Sequence, residues 1–253
     1  MFNSNPLLKE ETFRSPADMY ESSNTMTVQG TAIKTGILLL ILTTAAAITW
    51  KMTYNAVAAG NIGAIMPYLW GGVIGGFILF LITMFFKQAS PITAPIYAVF
   101  EGLFLGALSA MFEIQYPGIV VQAVGSTLGV LFVMLALYAT GVIPVTKGFI
   151  IGVVSATAGI MLFYLFAIVA GWIFGLEIAV LDSSNGSLLS IGFSVVVVIV
   201  ASLNLVLDFH MIDVGSKTNS PKYMEWYGAF ALLVTIVWLY IEILRLLSKL
   251  RNR

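Results

Sequence analysis

The sequence predicts an all-α integral membrane protein of seven transmembrane helices, and three observations carry that expectation. Of 253 residues, 59% are hydrophobic and only 9% are charged, against roughly 45–50% and 25% in soluble domains. The apolar residues gather into seven blocks, at 31–50, 65–86, 92–112, 118–142, 149–174, 188–207 and 226–247, each near the roughly 20 residues that a helix needs to cross a bilayer. The blocks are rich in Leu, Ile, Val and Phe without the period-two alternation of outer-membrane strands, which selects a helical bundle over a barrel.

Taken in order, residues 1–30 read as a polar tail with two basic and four acidic residues and no apolar run suited to a signal-peptide core. Within it, 8–21 can form a short interfacial helix, but Pro16 interrupts the pattern and a flexible tail is the plainer expectation. Residues 31–253 then form one membrane domain, because seven spans use about 140 residues and leave connections too short for a second folded unit. Glycines spaced by four at Gly71/Gly75, Gly72/Gly76, Gly102/Gly106 and Gly125/Gly129 predict close backbone packing of spans two, three and four. Trp50, Trp70, Trp172 and Trp226 lie near span ends, as an aromatic belt requires.

Ionisable residues inside spans are few and therefore informative, since a charge at the bilayer centre costs at least about 2.5–3.5 kcal/mol. Glu101 stands nine residues into the third span, about 14 Å deep. Two readings stay open for it: a neutral acid hydrogen-bonded to a Ser, Thr or Tyr of the bundle, or a proton or ion site. Asp208 closes the sixth span in SLNLVLDFHMID, with His210 and Asp213 about 160° and 140° away around the helix. Ser220 as a cap and Pro221 as an opener would start the seventh helix. That start puts Glu225 at a depth similar to Asp208, and two carboxylates that close share a proton and titrate as a unit. Lys34 and Lys87 fall on the same side and are candidate counter-ions, or lysines that simply snorkel to the headgroups. Glu242 and Arg245, three apart, read as a local pair near the far interface.

Composition also excludes functions. With 12 Lys+Arg against 12 Asp+Glu the net charge is zero, so there is no basic excess for nucleic acid. Cysteine is absent and His210 is the only histidine, which removes disulfides, thiol nucleophiles and zinc-finger spacings. No enzyme activity and no cofactor are expected, and the lipid bilayer is the certain partner. An intramembrane aspartyl protease would need Tyr-Asp and Gly-x-Gly-Asp elements that the spans lack. The loops on the N-terminal side carry Lys87, Lys147, Lys217 and Lys222, the opposite loops only Lys51, so the positive-inside rule places the N-terminus in the cytoplasm. Arg245, Lys249, Arg251 and Arg253 would then lie outside, unless a re-entrant segment returns the chain.

MTVQGTAIKTGILL, SPITAPIYAVFEGLFLGALS, GVIPVTKGF and LNLVLDFHMID followed by YMEWYGAFALLVTIVWLYIEILRLL resemble the bacterial Bax-inhibitor-1-like membrane proteins, from Met26 to the C-terminus. The resemblance implies a bundle whose last helix is wrapped by the other six, and a pH-sensitive calcium leak governed by aspartates on the sixth and seventh helices. Asp208 matches the first aspartate. Thr235 stands where the second would be, and no basic residue in span two matches the one that closes the pore in relatives, which leaves Lys87 as a substitute. The expectation is a pH-modulated passive cation (calcium) leak channel in the bacterial plasma membrane, with Asp208 and Glu225 as the ligands if calcium binds. The alternative is a non-transporting adaptor that modulates a membrane-bound ATP-dependent protease through residues 1–30.

Overall fold

The structure is a computed structural model that describes residues 24–176 and 178–253; the segment 8–21 lies outside the described residues. Seven long helices follow one another: α1 Val28–Ala58, α2 Met66–Phe85, α3 Ser90–Gln115, α4 Ile119–Ala139, α5 Lys147–Phe174, α6 Leu188–Lys217 and α7 Met224–Arg251. All seven are long and apolar enough to cross a membrane. Helices are the expected solution, because hydrocarbon offers the backbone no partner and each helix satisfies its own.

Local chemistry sets most of the helix starts. Thr27, Thr146 and Ser187 cap α1, α5 and α6 by accepting from the amides of Gly30, Phe149 and Ser190. The carboxylate of Glu113 reaches over the α3–α4 turn to accept from the Gly118 and Val120 amides, and Gly118 at φ 82° supplies the left-handed residue the turn needs. The α7 start differs from expectation. Ser220 does not cap it, and the helix begins at Met224, because the Ser220–Pro221 segment pairs with the chain entering α1. Thr25 forms an antiparallel bridge to Pro221, and the Met26 amide donates to the Ser220 carbonyl at 2.7 Å. The bundle is therefore already engaged before residue 31.

The sixth helix also runs further than its apolar block, to Lys217 rather than to 207. Hydropathy falls off at Asp208, but Phe209 and Ile212 remain buried, so a packed face carries the helix on after the uniform apolar run has ended. Asp208 consequently lies nine residues inside the α6 end, about 14 Å, and not at the interface.

The most buried of the seven helices is α7. It packs along α1, α3, α4 and α6, meets α2 through the Phe80–Phe230 ring contact at 5.9 Å, and meets α5 through Tyr164 and Glu242 at 2.8 Å. In contrast α5 turns Leu165, Phe166, Ile168 and Trp172 outward, as a helix facing lipid does. Glycine packing is partly as expected. A methyl on Gly72 would stand 2.8 Å from the Phe100 carbonyl and Phe104, so α2 and α3 are in close contact. Gly102 and Gly106 instead face α1, where a methyl would collide with the Leu42 and Ala46 carbonyls. Gly71, Gly125 and Gly129 meet nothing within 4 Å, which removes the expected close packing of the fourth span through its glycines. Spacing of small residues makes a flat strip but does not choose the helix that covers it.

The α7 helix runs unbroken to the end that carries the α3–α4 turn, where Arg251 donates to the Pro117 carbonyl at 2.8 Å. The described chain thus has Asn24 and its C-terminus at opposite ends of the bundle, with no re-entrant segment among the described residues.

Candidate functional site

Asp208 and Thr235 meet across the α6–α7 seam, the Thr235 hydroxyl lying beside the carboxyl and donating to the Ala231 carbonyl of its own helix at 3.3 Å. Thr235 stands eleven residues into α7, about 16 Å, which matches the depth of Asp208 and is near half of a hydrocarbon core about 30 Å thick. The two positions singled out by the resemblance are therefore neighbours, although only one carries an acid. The Asp208 Oδ2 atom is buried without a hydrogen-bond partner, as is Trp238 Nε1, one turn beyond Thr235 on α7. Buried polar atoms are nearly always paired, so an orphaned acceptor on α6 and an orphaned donor on α7 single out this seam. One turn before Asp208, Asn204 donates to Thr157 of α5 at 2.7 Å, which extends the polar strip to a third helix.

Glu225 does not join this site. It is fully buried and accepts from the Thr27 amide at 2.9 Å and the Thr27 hydroxyl at 2.8 Å. It also pairs with Lys34 and with Lys222, the latter at 3.0 Å. Ten residues of helix, about 15 Å, separate it from the level of Thr235. The expected Asp208–Glu225 pair is thus corrected: because α6 extends to Lys217, Asp208 sits deep while Glu225 stays in the first turn of α7. With its oxygens committed to two cations and Thr27, Glu225 has none free for calcium. Lys34 is a counter-ion, but to Glu225, and it also lies 5.6 Å from the Trp226 ring. Lys87 lies 5.3 Å from the Tyr227 ring, and no ion pair joins either lysine to Asp208 among the described residues.

Glu101 hydrogen-bonds Tyr97 one turn earlier on α3. It lines a cavity of about 280 Å³ with Val73, Gly76, Phe77, Phe80 and Phe104, between α2 and α3. Its tyrosine partner fits the hydrogen-bonded reading, while the cavity leaves room for the other. Asp213 bonds Tyr138 at 3.3 Å and Lys217 at 2.7 Å, and His210 contacts the Tyr138 ring, so both turn toward α4, away from Asp208.

Sequence reasoning missed three participants. Thr27 lies in a stretch that carries no ionisable signal of its own, and Tyr164, which donates to Glu242 at 2.8 Å beside Arg245, is one aromatic among many. Lys249 resembled a solvated tail cation and is fully buried. No group of three or more His, Asp and Glu converges to hold a metal among the described residues.

Comparison with known families matches residues 5–252 to the family described as Bax inhibitor 1 like. No curated protein and no solved structure matches the chain. The match takes in all seven helices together with both seam positions, and the chain belongs to the Bax inhibitor 1 like family.

Proposed function

We propose that this protein is a pH-modulated, passive cation leak, with calcium as a permeant ion, in the bacterial plasma membrane with its N-terminus in the cytoplasm. The observation that carries the reading is the buried, unpartnered carboxylate oxygen of Asp208 at mid-depth between α6 and α7. An ionised carboxylate offers a hard oxygen ligand to a cation; a protonated one does not. One carboxylate with a hydroxyl beside it falls well short of the six to eight oxygens of a tight calcium site, and weak binding is what passage demands, since an ion held strongly would not leave. Thr235 cannot titrate, so a single acid governs the response and the leak follows a one-proton curve, falling as pH falls.

The test uses purified protein in liposomes loaded with a calcium dye, assayed from acid to alkaline pH. The leak should exceed that of empty liposomes and lose its pH dependence in Asp208→Asn. The adaptor alternative relies on residues 1–30 and gives Asp208 no part, so no flux together with capture of a protease by the tail would favour it.

A further inference from the structure

Lys249 is fully buried in the last turn of α7, and no carboxylate among the described residues forms an ion pair with it. Its ammonium donates to the Val180 carbonyl at 2.7 Å, the Ser194 hydroxyl at 2.8 Å and the Ser190 carbonyl at 3.3 Å. All three of its protons are thereby used. The charged groups nearest to it are Arg245, Glu242 and Asp182. Glu242 is engaged by Tyr164 and Arg245, and Asp182 accepts from the Ser184 amide and hydroxyl. A buried ammonium is costly unless charge or oxygen surrounds it, and here neutral oxygens do so, contributed by the α5–α6 connection and by α6.

We propose that these three oxygens form a monovalent-cation site whose resident cation is the tethered Lys249 ammonium. Carbonyl and hydroxyl oxygens converging on one positive charge are the ligands with which proteins replace the hydration shell of an alkali cation. Three neutral oxygens suit one charge better than two. The placement is telling as well. Fourteen residues separate Ser194 from Asp208 on α6 and Thr235 from Lys249 on α7, so both meetings lie in one antiparallel register, about 21 Å apart and close to four turns on. The α6–α7 seam holds a carboxylate at mid-depth and a fixed cation at the far end, where it repels any cation passing along the seam. The consequence for flux rests on the leak reading; the site itself does not.

Lys249→Met removes the charge and keeps the apolar stem. Purified in detergent, the variant should unfold about 3–6 °C higher in potassium or sodium chloride at ten times Kd than in choline chloride of equal ionic strength, whereas the parent protein should show no difference. Adding Ser194→Ala should shrink that gain. In calcium-dye liposomes Lys249→Met should raise the leak several-fold. A folded Lys249→Met with one Tm in all three salts overturns the proposal. If that variant does not fold, Lys249→Gln is read in the same salts, and failure of both to fold makes Lys249 a structural clamp and overturns it too. A parent protein that never leaks refutes the leak reading, while the salt comparison still decides the site; salt stabilisation with unchanged leak keeps the site and removes its barrier role.

Discussion

Replacing Glu225 by glutamine removes the charge at the centre of the Thr27–Lys34–Lys222 cluster and nearly preserves shape. The amide oxygen can still accept from Thr27, but its NH2 group then faces Lys34, and two donors oppose each other. Lys34, whose side chain is only 17% exposed, is left without a counter-charge. Breaking a buried pair in this way costs about 3–5 kcal/mol; partial solvation of Lys34 places the cost near the lower end, about 3 kcal/mol, and Lys222, at 44% exposed, adds little. For a chain of this size that corresponds to a fall in Tm of about 6–12 °C, measured by thermal unfolding in detergent. Lys34→Met in the same background should return part of the loss, because the two residues act as one unit. A fall below about 2 °C would refute the clamp. The pH profile of any leak should be untouched by Glu225→Gln, since the cluster lies about 15 Å along α7 from Thr235; a lost profile would reinstate Glu225 as the partner of Asp208.

The packing of α1 on α3 predicts that Gly106→Ala destabilises by about 1–3 kcal/mol through collision with Ala46 and Thr49, while Gly129→Ala, which meets nothing within 4 Å, is neutral or slightly stabilising in the same unfolding assay. Glu101→Gln should keep fold and flux if Tyr97 merely bonds a neutral acid there; abolished calcium flux at unchanged expression would make Glu101 part of the path. Single cysteines at Lys147 and Lys217 should be protected from an impermeant reagent in intact cells and one at Ser184 labelled, with no native cysteine to interfere; the reverse pattern would invert the orientation. The Ser184 amide and hydroxyl hold the Asp182 carboxyl below its ordinary value, about 3.9. The stabilisation is then full above that value and lost as pH falls through the lower folded one, which an NMR titration of Asp182 would show; a titration at or above about 3.9 would contradict it.

Seven helices were legible because hydropathy alone defines spans in lipid. What escaped was set by contacts distant in sequence. The end of α6 lies ten residues beyond its apolar block because Phe209 and Ile212 are held by packing and not by a uniform apolar run, and the shorter span is what set Asp208 at a depth similar to Glu225. Lys34 pairs with Glu225, and the other members of the cluster, Thr27 and Lys222, look unremarkable in their own segments. Lys249 is buried because the α5–α6 connection folds over the end of α7, with Ser248 donating to the Ser183 carbonyl at 3.0 Å and Lys249 to the Val180 carbonyl, and nothing within the last turn of α7 announces this. The C-terminal cations that seemed to oppose the charge rule are largely engaged: Arg245 by Glu242, Lys249 by oxygens, and Arg251 by Pro117 and Gln122.

Calcium flux into dye-loaded liposomes, compared between the parent protein and Asp208→Asn across pH, bears most directly on the role given to the α6–α7 seam. A parent leak that falls with acidification along a one-proton curve, and a variant whose flux is flat with pH, is the predicted result. Identical pH-dependent leaks in the two proteins, or a parent flux no greater than that of empty liposomes, would contradict it.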